Sequence, residues 1–228
     1  MSKSITIDGP AAAGKTTTAK ALAKNLPGFL YVDTGAFYRV FAYGLKRKNI
    51  TYPLLTTITD IIDEKILHTI KIQAKQKHGE QTMYLNGEII PDEYLRTEDI
   101  SQLASAASAI PEVRAKIKDA IREYAQNYDV IMEGRDTGTV ILPDATVKFY
   151  LTADINARTE RRYNDILKKE PYANKDDIKA DLQVRDARDM NRKTDPLKIA
   201  DTAIVIDNTN IPAEQCIKMM QKIIEISI

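Results

Sequence analysis

The chain has 228 residues, of which 43% are hydrophobic, and its 33 basic residues almost balance its 32 acidic ones. This length suits one sizeable core with inserted lobes, and a net charge of +1 provides no global field for nucleic acid or an anionic membrane. The single cysteine, Cys216, cannot form an internal disulfide, and no run approaches the ~18 apolar residues of a membrane span. We therefore expect a cytoplasmic protein that binds neither nucleic acid nor membrane. We also expect a monomer, although these features do not determine the oligomeric state.

The N-terminal segment combines an apolar strand, predicted at residues 4–8, with a glycine-rich turn and a helix-forming run. The turn has the pattern G-x-x-x-x-G-K-[ST], in which glycines let backbone N–H groups wrap around a phosphate. The lysine of the pattern reaches the β- and γ-phosphates, and the hydroxyl binds Mg²⁺. We predict that a nucleoside triphosphate binds the following residues: Gly9, Pro10, Ala11, Ala12, Ala13, Gly14, Lys15, Thr16 and Thr17.

Further short apolar runs predict strands at 29–32, 129–133, 146–151 and 203–207, with helical patterns between them. This alternation is typical of a parallel sheet covered by helices. The predicted fold class is therefore α/β: a P-loop three-layer sandwich with a parallel five-stranded sheet.

Almost a hundred residues separate the second and third predicted strands. Within this stretch residues 66–90 lean towards β structure, and Asn86-Gly87 is a hairpin signal. We expect a small antiparallel β insertion here, with His68 and His78 at its surface.

Polar clusters follow the second and third strands directly. One is Asp33–Arg39, which reads Asp-Thr-Gly-Ala-Phe-Tyr-Arg, and the other is Glu133–Asp136, which reads Glu-Gly-Arg-Asp. Ligands of open α/β sheets bind at the carboxyl ends of strands. Each cluster alone could be a polar loop with a capping aspartate, but two of them beside a phosphate loop favour a second phosphate site. Glu133 is also placed where P-loop enzymes hold Mg²⁺, here through water.

Two charged helical runs, within 154–170 and 176–193, carry arginines three and four residues apart. This spacing places Arg158, Arg161 and Arg162 on one helix face, and Arg185, Arg188, Asp189 and Arg192 on another. Guanidinium groups stay charged and bind phosphate through two hydrogen bonds. One interpretation is a solvated arm whose arginines pair with nearby carboxylates. The other is an arginine-lined lid with little apolar anchoring, which ligands would order.

Together these segments resemble the bacterial cytidylate kinase family across essentially the whole chain. The resemblance is carried by Gly9–Thr16, Asp33–Arg39, Ser105 with Arg114, Gly134–Val140, and Arg185 with Asp189 and Arg192. The G-R-D-x-G-T and D-[ST]-G-x-x-Y-R patterns are specific to that family, whereas the phosphate loop is not. The resemblance implies one domain over 1–228, with a monophosphate-binding lobe at about 36–100 and a lid at about 155–195.

The resemblance also implies the reaction and the residues that perform it. The γ-phosphoryl group of Mg-ATP would pass to CMP or dCMP, with Lys15, Arg158, Arg162 and Arg188 as catalytic residues. Arg39, Arg135 and Arg192 would hold the acceptor phosphate, Ser105, Arg114 and Asp136 would read the base, Arg185 and Asp189 would touch the sugar, and Asp33 and Thr34 would complete the CMP site. Thr16 and Glu133 would hold Mg²⁺.

The chemistry of cytosine is consistent with this base-reading set. A carboxylate can accept from the N4 amino group while a guanidinium donates to N3 and O2. Two alternatives stay open: a kinase for another monophosphate or small metabolite, and a non-enzymatic P-loop switch. Phosphorylation of an acceptor distinguishes them.

Overall fold

The computed structural model describes residues 2–51, 62–77, 80–126, 128–168 and 171–228. The chain divides into two compact units. The first comprises Lys3–Phe29 and Val130–Ile228, and the second comprises Leu30–Asp129. The phosphate loop and the arginine-bearing helices belong to the first unit, and the β insertion belongs to the second.

The described strands and helices alternate along much of the chain. The strands are β1 (Ser4–Asp8), β2 (Phe29–Asp33), β3 (Ile72–Lys77), β4 (Glu80–Leu85), β5 (Glu88–Ile89), β6 (Asp129–Gly134), β7 (Val147–Thr152) and β8 (Ile204–Asp207). The helices are α1 (Lys15–Asn25), α2 (Thr34–Lys46), α3 (Glu64–Thr69), α4 (Asp92–Leu95), α5 (Glu98–Ala107), α6 (Pro111–Ala125), α7 (Ile155–Leu167), α8 (Lys175–Asn191) and α9 (Ala213–Ser227). A π-helical turn, Thr137–Ile141, follows β6.

The larger sheet has five strands in the order β2-β6-β1-β7-β8. Strand β1 pairs in parallel with β6 and with β7, and β7 pairs in parallel with β8. The central strands are continuous apolar runs, such as Val130–Met132, because helices flank the sheet and consecutive side chains are buried. The predicted α/β class with a parallel five-stranded sheet is confirmed, and each predicted strand lies within one residue of its observed bounds.

The smaller sheet is antiparallel, with the order β3-β4-β5. Asn86 and Gly87 form its tight turn with φ angles of 52° and 86°, the positive values that two-residue hairpin turns of type I′ require. The predicted β insertion and its hairpin are therefore confirmed.

The start of that insertion was wrongly predicted as β structure. Residues 66–69 belong to α3, because the Asp63 carboxylate accepts a hydrogen bond from the Ile66 N–H at 2.8 Å and caps the helix. His68 is exposed on this helix, and His78 lies outside the described residues.

Helix caps set the positions of the elements that carry the site. Asp33 caps α2 by accepting from the Ala36 N–H, Asp154 caps α7 and Asn174 caps α8. Helix α1 has no side-chain cap, and it begins directly after Gly14. Its first N–H groups are therefore available to an anion. None of the described helices combines the length and the apolar character that a membrane crossing requires.

Candidate active site

The glycine-rich loop passes so close to β7 that only glycine fits at its start. Gly9 has a φ of 149°, and a Cβ atom there would lie 2.0 Å from the Leu151 carbonyl oxygen. Gly14, with a φ of 90°, turns the chain into α1. These glycines bring the loop backbone to the N-terminus of α1, where the helix dipole favours a negative charge.

Three side chains anchor carbonyl groups of this loop. Lys15 Nζ donates to the Pro10 carbonyl at 2.6 Å, and Arg158 Nη1 donates to the Ala11 carbonyl at 3.0 Å. Asn208 Nδ2 donates to the Ala13 carbonyl at 2.9 Å. The loop conformation is thus held by groups from α1, from α7 and from the end of β8.

Lys15 lies in a buried electrostatic cluster of the first unit. Burial, with the charges of Arg135 and Arg185, lowers the pKa of its ammonium group to about 7, although the charges of Glu133 and Asp8 oppose the shift. Bringing these charges together without an anion is unfavourable, because Lys15 is only 5% exposed. The cluster is therefore suited to a polyanionic ligand.

Asp8 is a site residue that the sequence patterns did not identify. Its carboxylate accepts hydrogen bonds from Thr137 N at 2.9 Å, Thr137 Oγ1 at 2.8 Å and Gly138 N at 2.8 Å. Burial raises its pKa, although these hydrogen bonds oppose the shift. Asp8 therefore fixes the π-helical turn that begins directly after Asp136. The only signal in the sequence was a carboxylate ending a strand just before the loop.

Five predicted CMP-binding residues lie together in the first unit, and Asp189 is at their centre. Arg135 Nε donates to Asp189 Oδ2 at 2.8 Å, and Arg192 Nη1 lies 3.7 Å from Asp189 Oδ1. Burial alone would raise the pKa of Asp189, but Arg135, Arg185 and Arg192 hold it below its usual value. Arg192 Nη2 also lies 3.4 Å from Asp136 Oδ1. In this structure the arginines thus converge on buried carboxylates.

A second cluster, around Asp33, lies in the other unit. Arg39 Nη2 pairs with Asp33 Oδ2 at 2.6 Å, and the Arg96 guanidinium lies 3.4 Å from the same oxygen. Burial would raise the pKa of Asp33, but the two arginines lower it. Thr34, the first residue of α2, is buried next to this pair. Sequence reasoning missed Arg96, which stands outside any motif and reaches Asp33 only through the fold.

Ser105 and Arg114 form the other predicted group of this unit. Arg114 Nη1 donates to the Ser108 carbonyl at 3.3 Å, and Ser108 Oγ donates to the Ser105 carbonyl at 2.7 Å. The Arg114 guanidinium lies over the ring of Tyr38, 5.6 Å from its centroid. Arg114 and Ser105 are both buried, so α2, α5 and α6 hold the two predicted base-reading side chains of this unit in fixed positions. Each unit therefore carries one part of the predicted CMP set.

The arginines of α7 do not act as one face. Arg158 Nη1 pairs with Asp186 Oδ2 at 2.5 Å and its Nε donates to the Ala153 carbonyl at 2.9 Å, whereas Arg161 binds Asn208. Asp186 Oδ1 also accepts from the Ala11 N–H at 3.1 Å. Arg162 on α7 and Arg188 on α8 are both half-buried.

Helices α7 and α8 also have an apolar contact with the loop. Ala11, Ile178 and Leu182 form a buried cluster, and five further side chains pack against it: Ala12, Ile155, Tyr163, Ile166 and Ala173. The expectation of little apolar anchoring is therefore wrong for these helices. The apolar contact arises because Ile178 and Leu182 are four residues apart, which places two aliphatic groups on one side of an otherwise charged helix.

The residues at the predicted metal position suit a cation that arrives with a nucleotide. Glu133 is buried at the end of β6, and Thr16 is half-buried in the first turn of α1. In the described part of the chain, no group of three or more His, Cys, Asp and Glu residues could hold a metal ion. One carboxylate and one hydroxyl match Mg²⁺, which usually takes few protein oxygens and completes its shell with phosphate and water.

Comparison with known proteins gives consistent matches over almost the full chain. The profile of the family described as "Cytidylate kinase" matches residues 5–226. A relative named "Cytidylate kinase" from Lactobacillus johnsonii is 40% identical over 97% of this chain and 93% of its own length. One of the same name from Streptococcus uberis is 39% identical over 98% of both chains. Among solved structures, a shikimate kinase from Bacteroides thetaiotaomicron aligns over 98% of both chains, with 13% identity and a TM-score of 0.47.

Proposed function

The chain belongs to the cytidylate kinase family, and we propose that it transfers the γ-phosphoryl group of Mg-ATP to CMP and dCMP, giving ADP with CDP or dCDP. The observation that carries this proposal is the arginine content of the site. Besides a phosphate loop with its own Lys15, the first unit has three arginines around Asp189, and the second has Arg39 and Arg96 on Asp33. One nucleotide needs one phosphate site, whereas this surplus suits two phosphorylated substrates.

The acceptor phosphate is bound by Arg39, Arg135 and Arg192. All three now pair with carboxylates, at distances of 2.6 Å for Arg39 with Asp33 and 2.8 Å for Arg135 with Asp189. Such pairs keep the guanidinium groups in place until a phosphate accepts from them. Asp189 and Arg185 contact the sugar, and Thr34 at the start of α2 completes the site.

Base recognition depends on Asp136, Arg114 and Ser105. Asp136 accepts from the N4 amino group of cytosine, and Arg114 donates to N3 and O2. Uracil would turn its O4 acceptor towards the carboxylate, and a buried site built around a hydrogen bond rejects such an analogue by orders of magnitude. All three side chains are buried, with exposed fractions of 2–6%, so water cannot easily replace the missing partner.

The transfer step needs alignment and positive charge more than it needs a base. A monophosphate oxygen is already ionised near pH 7, so no histidine must remove a proton. Lys15 neutralises the β- and γ-phosphates, and Arg158, Arg162 and Arg188 stabilise the charge on the transferring group. Thr16 and Glu133 would hold Mg²⁺, which would offset negative charge on the phosphates during the transfer.

We further propose how the chain is organised and where it works. Residues of about 36–100 form the monophosphate-binding lobe, and those of about 155–195 form a lid over the phosphate loop. The enzyme is a cytoplasmic monomer whose partners are its small-molecule substrates, with no role for nucleic acid or membrane. Its near-zero net charge supports the last point.

The proposed reaction is tested by coupling ADP release to NADH oxidation with Mg-ATP and a panel of CMP, dCMP, UMP, AMP, GMP and dTMP. We expect rapid turnover with CMP and dCMP, at least about a hundred-fold slower turnover with UMP, and little with purines. Slow ADP release that no acceptor accelerates would contradict the proposal and support a P-loop switch. Preference for a purine would contradict the assignment of the base-reading residues.

The pKa of Lys15 predicts that ATP binding takes up a proton. At pH 8 a group with a pKa of about 7 is mostly neutral in the empty protein, and the charges of the triphosphate raise that pKa. Binding should therefore take up nearly one proton at pH 8, and ATP affinity should fall as the pH rises above 7. Calorimetry in two buffers with different ionisation enthalpies measures the uptake. Lys15→Met should abolish it, and equal heats for the wild type in both buffers would contradict the assignment.

A further inference from the structure

Asn208, the first residue after β8, is a polar side chain that is only 5% exposed. Its Nδ2 donates to the Ala13 carbonyl at 2.9 Å, and its Oδ1 accepts from Arg161 Nη1 at 2.9 Å. Its main-chain carbonyl accepts from Arg161 Nη2 at 2.8 Å, and its N–H donates to the Thr152 carbonyl at 2.9 Å. These partners allow one orientation of the amide, because a flip would set its NH₂ against the guanidinium and its oxygen against a carbonyl.

The Ala13 carbonyl controls the direction of an N–H group in the phosphate loop. It belongs to the same peptide plane as the Gly14 N–H, and in a trans peptide these two groups point in opposite directions. The bond from Asn208 therefore turns the Gly14 N–H away from the Asn208 side. Gly14 has a φ of 90° and no Cβ to restrict it, so this peptide is among the least constrained in the loop without such an anchor.

Helix α7, which carries Arg161, also anchors the loop at a second carbonyl group. Arg158 donates to the Ala11 carbonyl at 3.0 Å, which by the same geometry directs the Ala12 N–H. Arg158 and Arg161 are three residues apart on α7. This helix thus holds the Ala11 carbonyl directly, and it holds the Ala13 carbonyl through Asn208.

We propose that Arg161 and Asn208 form a positioning pair that presets the phosphate loop for the triphosphate. Neither side chain needs to touch a substrate, since the pair acts through the Ala13–Gly14 peptide. An N–H that already points at the phosphate costs no reorganisation when the nucleotide binds. The inference rests on the proposed function in taking ATP as that nucleotide, and it predicts an effect on ATP without an equal effect on CMP.

Asn208→Asp tests the pair with an almost isosteric change. The Ala13 carbonyl would then face a carboxylate oxygen instead of an N–H donor, while Arg161 keeps its acceptor. We expect the Kd and the KM for Mg-ATP to rise roughly ten- to a hundred-fold, with the KM for CMP at saturating ATP within about twofold of wild type. Asn210→Asp is the matched control, because it adds the same charge two residues away at an exposed position, and it should leave both constants nearly unchanged.

Arg161→Lys provides a second variant that keeps the charge but removes the forked pair of hydrogen bonds. Arg161→Lys should also raise the KM for ATP. It tests the proposal independently if Asn208→Asp does not fold. A wild-type KM for ATP in folded Asn208→Asp would overturn the inference, as would equal rises for ATP and CMP or a lower melting temperature alone. Failure of the proposed function is distinguishable, because the wild type would then release no CMP-dependent ADP while ATP binding still reports on the pair.

Discussion

Lys15→Met is expected to lower kcat/KM by at least about a thousand-fold while the protein stays folded. Lys15 is the first residue of α1, its Nζ donates to the Pro10 carbonyl of the loop at 2.6 Å, and we expect its ammonium group to bind the phosphates when ATP is present. The arginines on α7 and α8 cannot replace it, because they reach the site from other elements. Steady-state kinetics with Mg-ATP and CMP measures the loss.

Although Lys15→Met should lose activity, its folded state should be at least as stable as that of the wild type. Burial lowers the folded-state pKa of Lys15 to about 7 from a usual value of 10.5, so below pH 10 the charged form costs stability. Methionine fills a similar volume without that cost. We expect a melting temperature at pH 7 equal to or above that of the wild type. Lys24→Met, on the exposed side of the same helix, is the control and should change neither property. A folded Lys15→Met enzyme with near-normal turnover would contradict the catalytic role.

Asp136→Asn is expected to lower kcat/KM for CMP by about a hundred-fold or more, with ATP affinity within about twofold of wild type. A carboxylate has two acceptor oxygens, so Asp136 can face Arg192, 3.4 Å away, and also accept from the cytosine amino group. Asparagine has one acceptor oxygen and must leave one of these donors unpaired. Its NH₂ can donate to the O4 of uracil, so the CMP-to-UMP ratio of kcat/KM should fall by a larger factor than kcat/KM for CMP itself.

The control for this change is Asp144→Asn, which removes the same charge at an exposed position eight residues further along the chain. It should leave kcat/KM for CMP and the CMP-to-UMP ratio unchanged. If Asp136→Asn kept the wild-type preference for CMP, Asp136 would not be the residue that reads N4. If ATP binding fell equally, the change would have disturbed the π-helical turn after Asp136, and the measured loss would not describe base recognition.

The features that the sequence predicted correctly depend on neighbours along the chain. Apolar runs between polar ends mark the five parallel strands, and Asn86-Gly87 marks a hairpin because both residues tolerate positive φ. The phosphate loop was recognisable for the same reason, since its glycines and Lys15 follow one another. The missed helix α3 also has a local cause: the capping of Ile66 by Asp63 outweighs the β preference of the residues after it.

The partners of the charged side chains could not be predicted from neighbouring residues along the chain. Arginine spacing on α7 predicted one shared face, yet Arg158 turns to Asp186 and the loop, and Arg161 turns to Asn208. Several arrangements of such charges satisfy the same helical period. The choice among them depends on which carboxylate or amide the fold brings within hydrogen-bond distance.

The sequence by itself thus determined the strand and hairpin positions, the phosphate loop and the family, because these are written in short contiguous patterns. Only the tertiary structure decided that Asp8 holds Thr137, that Asp186 holds Ala11 and that Asn208 holds Ala13. These partners are 129, 175 and 195 residues apart, and a hydrogen bond requires its atoms to lie within about 3 Å. A pattern of neighbouring residues cannot show that two residues so far apart in the sequence lie within hydrogen-bond distance. These contacts form only because the sheet brings the ends of its strands together.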